Sequence, residues 1–189
     1  NEVTAEAVDN DDLLIRVSAN SGALLGFSEK IHYTHSDSLQ GLLIAPSYIV
    51  VSDFPNGYYP VNERAKNYQT AFPEGNSFAH FLMFEQNVNY LKESGWGIFI
   101  VPSDIFETDK SSVLMGWLKE NVHIQAFLSL PVDLFHKNGM KKSIIIVQKI
   151  GEKSLQAEQV LLGEIPDLKN AQKMQSFLDI FHNWSAKMI

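Results

Sequence analysis

The chain has 189 residues, 45% of them apolar and 20% charged, with a net charge of −7. These proportions fit a soluble globular domain with a core of its own. No apolar run approaches the roughly 18 residues of a membrane span. Cysteine is absent, which excludes disulfides and thiolate metal sites and fits a reducing cytoplasm. The acidic balance argues against a nucleic-acid footprint on this domain alone, because phosphate binding needs clustered Lys and Arg. The densest basic group is Lys137 with Lys141 and Lys142, a cluster of the kind that usually marks a solvated loop.

In chain order, Val3 to Val8 reads as a short strand that runs into the acidic cluster Asp9-Asn10-Asp11-Asp12. Residues 11–25 have helical spacing, with Leu14, Val17, Leu24 and Leu25 on one face. Asp11 and Asp12 suit its first turn, where the helix dipole favours negative charge. Ile31 to His35 is a second strand, and Tyr48 to Val51 a third, buried one. Residues 54–77 form a long Pro- and Gly-rich connection of the kind that is often functional or mobile. A helix is predicted over 78–93, ended by Gly95 as a C-cap. Ile98 to Val101 is an apolar strand closed by Pro102. A helix over 110–120, strands over Ile124–Leu128 and Ser143–Gln148, a small edge strand at Val160–Leu162 and a helix over 167–187 complete the chain. Strands and helices that alternate in this way argue an α/β sheet, mostly parallel. The whole reads as one domain, with a core over 3–150 and a terminal strand and helix over 158–188.

Three carboxylates close strands or follow them: Asp9, Asp37 and Asp53. In parallel strands all three would project onto the carboxyl edge of a sheet, where ligands bind in open α/β folds. An acid after the second strand of a dinucleotide-type fold commonly holds ribose hydroxyls. Asp9 and Asp37 could equally be turn or cap residues. Asp53 opens the run Asp53-Phe54-Pro55-Asn56-Gly57-Tyr58-Tyr59-Pro60. The six histidines show no metal-ligand spacing, and structural or surface roles are expected for all of them. Trp96, Trp117 and Trp184 are expected to pack.

Ser52-Asp53-Phe54-Pro55-Asn56 resembles the acidic-or-amide, Pro, Pro, aromatic tetrad of amino-methyltransferases. Together with His35-Ser36-Asp37-Ser38-Leu39, the strand from Trp96 to Pro102, and Leu130-Pro131 with Phe135 before Lys142-Ser143-Ile144, it resembles the class I S-adenosylmethionine-dependent DNA adenine methyltransferases. The resemblance is to the type I restriction-modification methylase subunits and, in the Asp-x-Pro-x-Gly-Tyr-Tyr-Pro run, to a branch of predicted bacterial adenine-specific methyltransferases related to them; the match runs from about residue 3 to 150. This resemblance implies a Rossmann-like methyltransferase sheet, mostly parallel with a late antiparallel strand, and methyl transfer from S-adenosylmethionine to the exocyclic amine of adenine. Asp9, Asp37, Ser38 and Asp53 would meet the cofactor, Asp53 with Phe54, Pro55 and Asn56 would form the catalytic tetrad, and Tyr58, Tyr59 or Phe135 would stack on the base. No metal is implied.

The tetrad departs from the family at two places. Phe54 stands for the first Pro, and Asn56 for the aromatic. The family's first strand and Gly-rich cofactor loop are not found before Asp9, so an N-terminally truncated chain is expected. Its open strand edges would invite pairing with another chain, a homo-oligomer included. DNA is the implied partner, with its basic surface outside this fragment, and no membrane is implied. The alternative functions are a non-catalytic methyltransferase-like domain that binds nucleic acid or protein, and an amino-methyltransferase that acts on RNA or protein.

Overall fold

The computed structural model describes residues 3–135 and 141–187. Contacts divide it into two compact units, residues 1–45 and 46–189. The first holds strand β1 (Ala5–Asp9), helix α1 (Asp12–Leu24) and strand β2 (Ile31–His35). β1 and β2 pair in parallel, with Asp9 beside His35 at their carboxyl ends. Asp11 caps α1: its side chain accepts from the amides of Leu13 and Leu14, which satisfies two of the donors that a helix start leaves over. Ile15, Ala19 and Gly22 form the covered face of this helix. The face expected from spacing, with Leu14, Val17, Leu24 and Leu25, is exposed. Periodicity found the helix, while its packing on β2 selected a different stripe.

The second unit holds β3 (Ser47–Asp53), α2 (Asn62–Ala65), α3 (Ala79–Asn89), β4 (Leu91–Pro102), α4 (Ser111–Asn121), β5 (Val122–Ser129), β6 (Lys142–Lys149), β7 (Leu161–Glu164) and α5 (Ala171–Ser185). Five strands form one sheet in the order β3-β4-β6-β5-β7. β6 is antiparallel to both its neighbours, while β3 runs parallel to β4, and β7 to β5. Four strands therefore share one direction and the late strand alone is reversed, as expected.

β4, β6 and β5 are the middle of this sheet; β6 carries the run Ile144-Ile145-Ile146-Val147, and β4 the run Ile98-Phe99-Ile100-Val101. On one face Phe99 and Val101 join Ile145 and Val147 of β6, with Phe81, Phe84 and Val88 of α3 also in the core. On the other, Ala126, Leu128 and Ile146 are covered by Trp96, Ile144, Leu161 and the aromatic stripe Phe177, Phe181 and Trp184 of α5. The tryptophans pack as expected, with Trp117 buried on α4.

Two further expectations change. β3 is not a buried strand: Tyr48, Ile49 and Val51 are 70%, 60% and 70% exposed, and β3 is an edge strand that pairs only with β4 among the described residues. The helix predicted over 78–93 ends at Asn89 with Tyr90 as its cap, so Gly95 lies inside β4. A Cβ at Gly95 would stand 2.8 Å from the Lys92 carbonyl oxygen and 3.0 Å from that of Tyr48. Glycine is needed there for the close approach of two strands at a bulge.

Candidate active site at the end of strand β3

Asp53 is the last residue of β3, and Phe54 continues the pairing by one bond, its amide donating to the Ile100 carbonyl at 2.9 Å. The Phe54 ring is fully buried. It stacks on Phe99 at 5.0 Å and meets Phe84 edge-on at 5.7 Å. This accounts for the departure at position 54. A proline could neither donate to Ile100 nor fill the space between those two rings. Phe54 is fixed by ring and amide together, and its carbonyl is presented at the strand end.

That carbonyl and the Asp53 carboxylate meet the same nitrogen. Lys142 Nζ donates to Asp53 Oδ1 and, at 3.2 Å, to the Phe54 carbonyl oxygen. The Lys142 side chain is 11% exposed and that of Asp53 is 60% exposed. Lys142 opens β6 opposite Pro102 of β4, so its stem reaches past the end of β4 to β3. The solvated basic loop expected around it is therefore corrected at this residue: Lys141 is exposed and Lys142 is buried. Lys137 lies outside the described residues. Nothing in a sequence separation of 89 residues signalled this contact.

The long connection after the tetrad is held rather than loose. Gly57, at φ 104°, takes a conformation that suits glycine, and its carbonyl accepts from the Ala79 amide at 2.9 Å. The Tyr59 amide donates to the Ser77 carbonyl, and Tyr58 bridges to Phe78. Further along, the buried Glu85 carboxylate of α3 accepts from the amides of Gln69 and Thr70 at 3.1 and 2.8 Å. Thr70 Oγ1 donates to the Phe81 carbonyl.

The two tyrosines face different surroundings. Tyr59 is buried, and its hydroxyl accepts from Arg64 at 2.8 Å. Tyr58 is exposed and lies flat on Phe78, with centroids 4.9 Å and planes 19° apart. Phe78 in turn stacks on His80 at 5.0 Å and 17°. Three rings thus run from solvent into the core. Asn56 is exposed, and Phe135 is half-buried after a short 3₁₀ turn, Val132–Leu134.

His80 ends this stack and was not singled out from the sequence. It is buried, and its ring bonds the Pro55 backbone carbonyl, so it supports the tetrad from behind. Burial lowers its pKa to about 4, against the opposing pull of Asp104 and of that bond. The buried Nδ1 has no partner among the described residues. A His followed by an apolar helix gave no sign that its ring would turn back to a loop 25 positions earlier.

In the first unit, Asp9 Oδ1 accepts from the Asp11 amide at 2.8 Å, and Asp37 Oδ1 from the Leu39 amide at 2.9 Å. The Ser36 amide donates to the Asp9 carbonyl. Both carboxylates therefore stand at the carboxyl edge of the β1–β2 pair, and Ser38 lies in the turn after β2. Each also performs a turn-forming role there. No helix of the described chain is long and apolar enough to cross a membrane, and no group of three or more His, Asp or Glu could hold a metal among the described residues.

The class follows from this sheet and its strand-end acid. Residues 27–184 match the family described as N-6 DNA methylase, and the chain belongs to it. It is similar to the uncharacterised protein YtxK of Bacillus subtilis, at 35% identity over 180 residues, covering 95% of this chain and 54% of that one. It is also similar to a candidate class I S-adenosylmethionine-dependent methyltransferase of Listeria monocytogenes. There the identity is 37% and the TM-score 0.86, over 96% of this chain and 55% of that one. A type I restriction-modification methyltransferase subunit from Streptococcus thermophilus shares the fold, with a TM-score of 0.71 at 13% identity over 96% of this chain and 42% of that one. The chain thus spans little more than half the length of the two relatives above 30% identity.

Proposed function

We propose that this chain serves an S-adenosylmethionine-dependent methyltransferase that acts on the exocyclic amine of adenine in DNA. The observation that carries the reading is the convergence of the Asp53 carboxylate and the Phe54 carbonyl on one nitrogen. An adenine amine is a weak nucleophile because its lone pair is conjugated with the ring. Two acceptors that take its two hydrogens draw the nitrogen towards tetrahedral geometry and localise that pair, an electrostatic effect set up before the reaction.

The cofactor supplies an electrophilic methyl group on a sulfonium. Its fit rests on the donor set of the first unit: a carboxylate at Asp9 for the ribose hydroxyls, and Asp37 with Ser38 for the adenine amine. In the second unit, Pro55 fixes its own φ and His80 bonds its carbonyl, so the acceptors keep their aim. The surplus proton on the methylated nitrogen leaves through Asp53, whose side chain is open to solvent. Tyr58, exposed and backed by Phe78, is the ring best supported to stack on an extruded base. Tyr59 is committed to the interior.

A non-catalytic role has one specific observation in its favour: both acceptors already hold Lys142. The deciding experiment incubates the full-length protein with S-adenosylmethionine and adenine-containing duplex DNA, then separates the nucleosides by chromatography. N6-methyladenine is expected. Cofactor binding by calorimetry without any methylated nucleoside in DNA would overturn the substrate, and no cofactor binding would overturn the enzyme.

A further inference from the structure

The position of Lys142 has a consequence for any amine that enters this site. Its Nζ donates to Asp53 Oδ1 and to the Phe54 carbonyl at once, and these are the two acceptors that the function proposed above assigns to the substrate amine. One primary nitrogen therefore already sits where a second must bind. The contact is not a loose surface pair. The lysine side chain is 11% exposed, its residue is anchored opposite Pro102 in the sheet, and its own carbonyl accepts from the Leu130 amide at 3.0 Å. Charge-assisted hydrogen bonds of this kind are about twice as strong as neutral ones.

We propose that Lys142 is a built-in competitor for the substrate amine: it occupies the amine's two acceptors, must leave before the target binds, and so sets the affinity and selectivity of the site. The inference rests on the Asp53–Phe54 pair being the amine site. Its chemistry is exchange of one donor for another. When the lysine withdraws, its ammonium loses two acceptors and regains water. The incoming amine takes the same two acceptors with its two hydrogens. Asp53 makes this feasible because its side chain is 60% exposed while the lysine's is buried. A weakly held amine is rejected by this arrangement, and a base that also gains stacking, for example on Tyr58, is accepted. The lysine is in this sense a specificity-determining residue, since discrimination is a difference of affinities.

The test uses the full-length protein with Lys142→Met, which keeps an unbranched stem of similar length and removes the ammonium, and Lys142→Gln as a second, shorter neutral variant. Binding of an adenine-containing oligonucleotide is measured by anisotropy, and methyl transfer by incorporation of label from S-adenosylmethionine. Both variants are expected to lower the Kd and KM for the oligonucleotide about three- to thirtyfold. Added methylammonium should weaken oligonucleotide binding in Lys142→Met and leave the wild type unchanged, since a small cation can refill only the vacated ammonium position. That readout would not move if Lys142 merely supported the fold. Oligonucleotide binding or turnover by the wild type with Kd and KM unchanged or raised in the two folded variants overturns the competitor alone. Neither binding nor transfer by wild type and variants overturns the amine site itself, and the competitor with it.

Discussion

The ring of Phe54 stacks on that of Phe99, with centroids 5.0 Å apart and planes 26° apart. One residue thus joins the core of the sheet to the strand end where Asp53 stands. The backbone that presents the Phe54 carbonyl is held by its own buried ring and by the amide bond to Ile100, so packing of the core also fixes the aim of that acceptor.

Truncating that ring tests the link. Phe54→Ala is expected to cost about 3–5 kcal/mol, as for a large ring removed from a close-packed core. Phe54→Pro, which brings the tetrad closer to the family pattern, is expected to be no better, because it also deletes the amide bond to Ile100. Urea midpoints of both variants check this, and a near-neutral Phe54→Pro would show that the ring is not what holds the strand end.

His80 gives the fold a pH dependence with a definite sign. Its pKa is lowered from the ordinary 6.5 to about 4, burial being the largest cause. Between those values the unfolded chain binds a proton that the folded chain refuses, so this contribution to stability is complete above about pH 6.5. It falls as the pH drops through the window and changes no further below about pH 4. The swing is at most about 3 kcal/mol. Besides Asp104, the ring faces Phe78, Phe81 and the Pro55 carbonyl. Urea unfolding at pH 4.5 and 7.5 should show a difference in the wild type that shrinks in His80→Phe. An equal difference in both would place the titration elsewhere.

Local patterns in the sequence found what depends on local geometry. The pattern places β2 at Ile31–His35 and Asp53 at the end of its strand, as the structure has them, while the reversed late strand is implied by the family resemblance and falls at β6. What was misread depends on which strand sits beside which. The apolar run of β3 looks buried, yet an edge strand exposes Tyr48, Ile49 and Val51. Gly95 looks like a helix stop, yet it answers the approach of the Tyr48 carbonyl from another strand. The candidate site was legible in its acid and its loop, but not in Lys142 or His80. Both reach it from other elements, one across the end of β4 and one from the start of α3.

Asp53 is the residue whose loss separates chemistry from folding. Asp53→Asn keeps the shape and can still bond Lys142, but it presents only one acceptor oxygen and no charge. Methyl transfer is expected to fall by about 10²- to 10³-fold, the range seen when one preorganised polar group is removed. The far-ultraviolet circular dichroism should stay close to wild type, while the urea midpoint should fall, because the buried Lys142 ammonium loses its counter-charge. Retained turnover in this variant would remove Asp53 from the reaction.

Tyr58 and Tyr59 are adjacent, and their substitutions should fail in different ways. Tyr58→Ala removes an exposed ring that rests on Phe78. It should weaken oligonucleotide binding by about 1–3 kcal/mol, the worth of one stacked base, and change the thermal midpoint little. Tyr59→Ala empties a buried position and releases Arg64 from its hydroxyl. It should cost about 3–5 kcal/mol of stability, and any effect on binding should follow from unfolding. Anisotropy titrations and thermal melts of both variants separate the two. Tight oligonucleotide binding by Tyr58→Ala would show that this ring does not meet the base, and would leave Phe135, half-buried beyond β5, as the next residue to truncate.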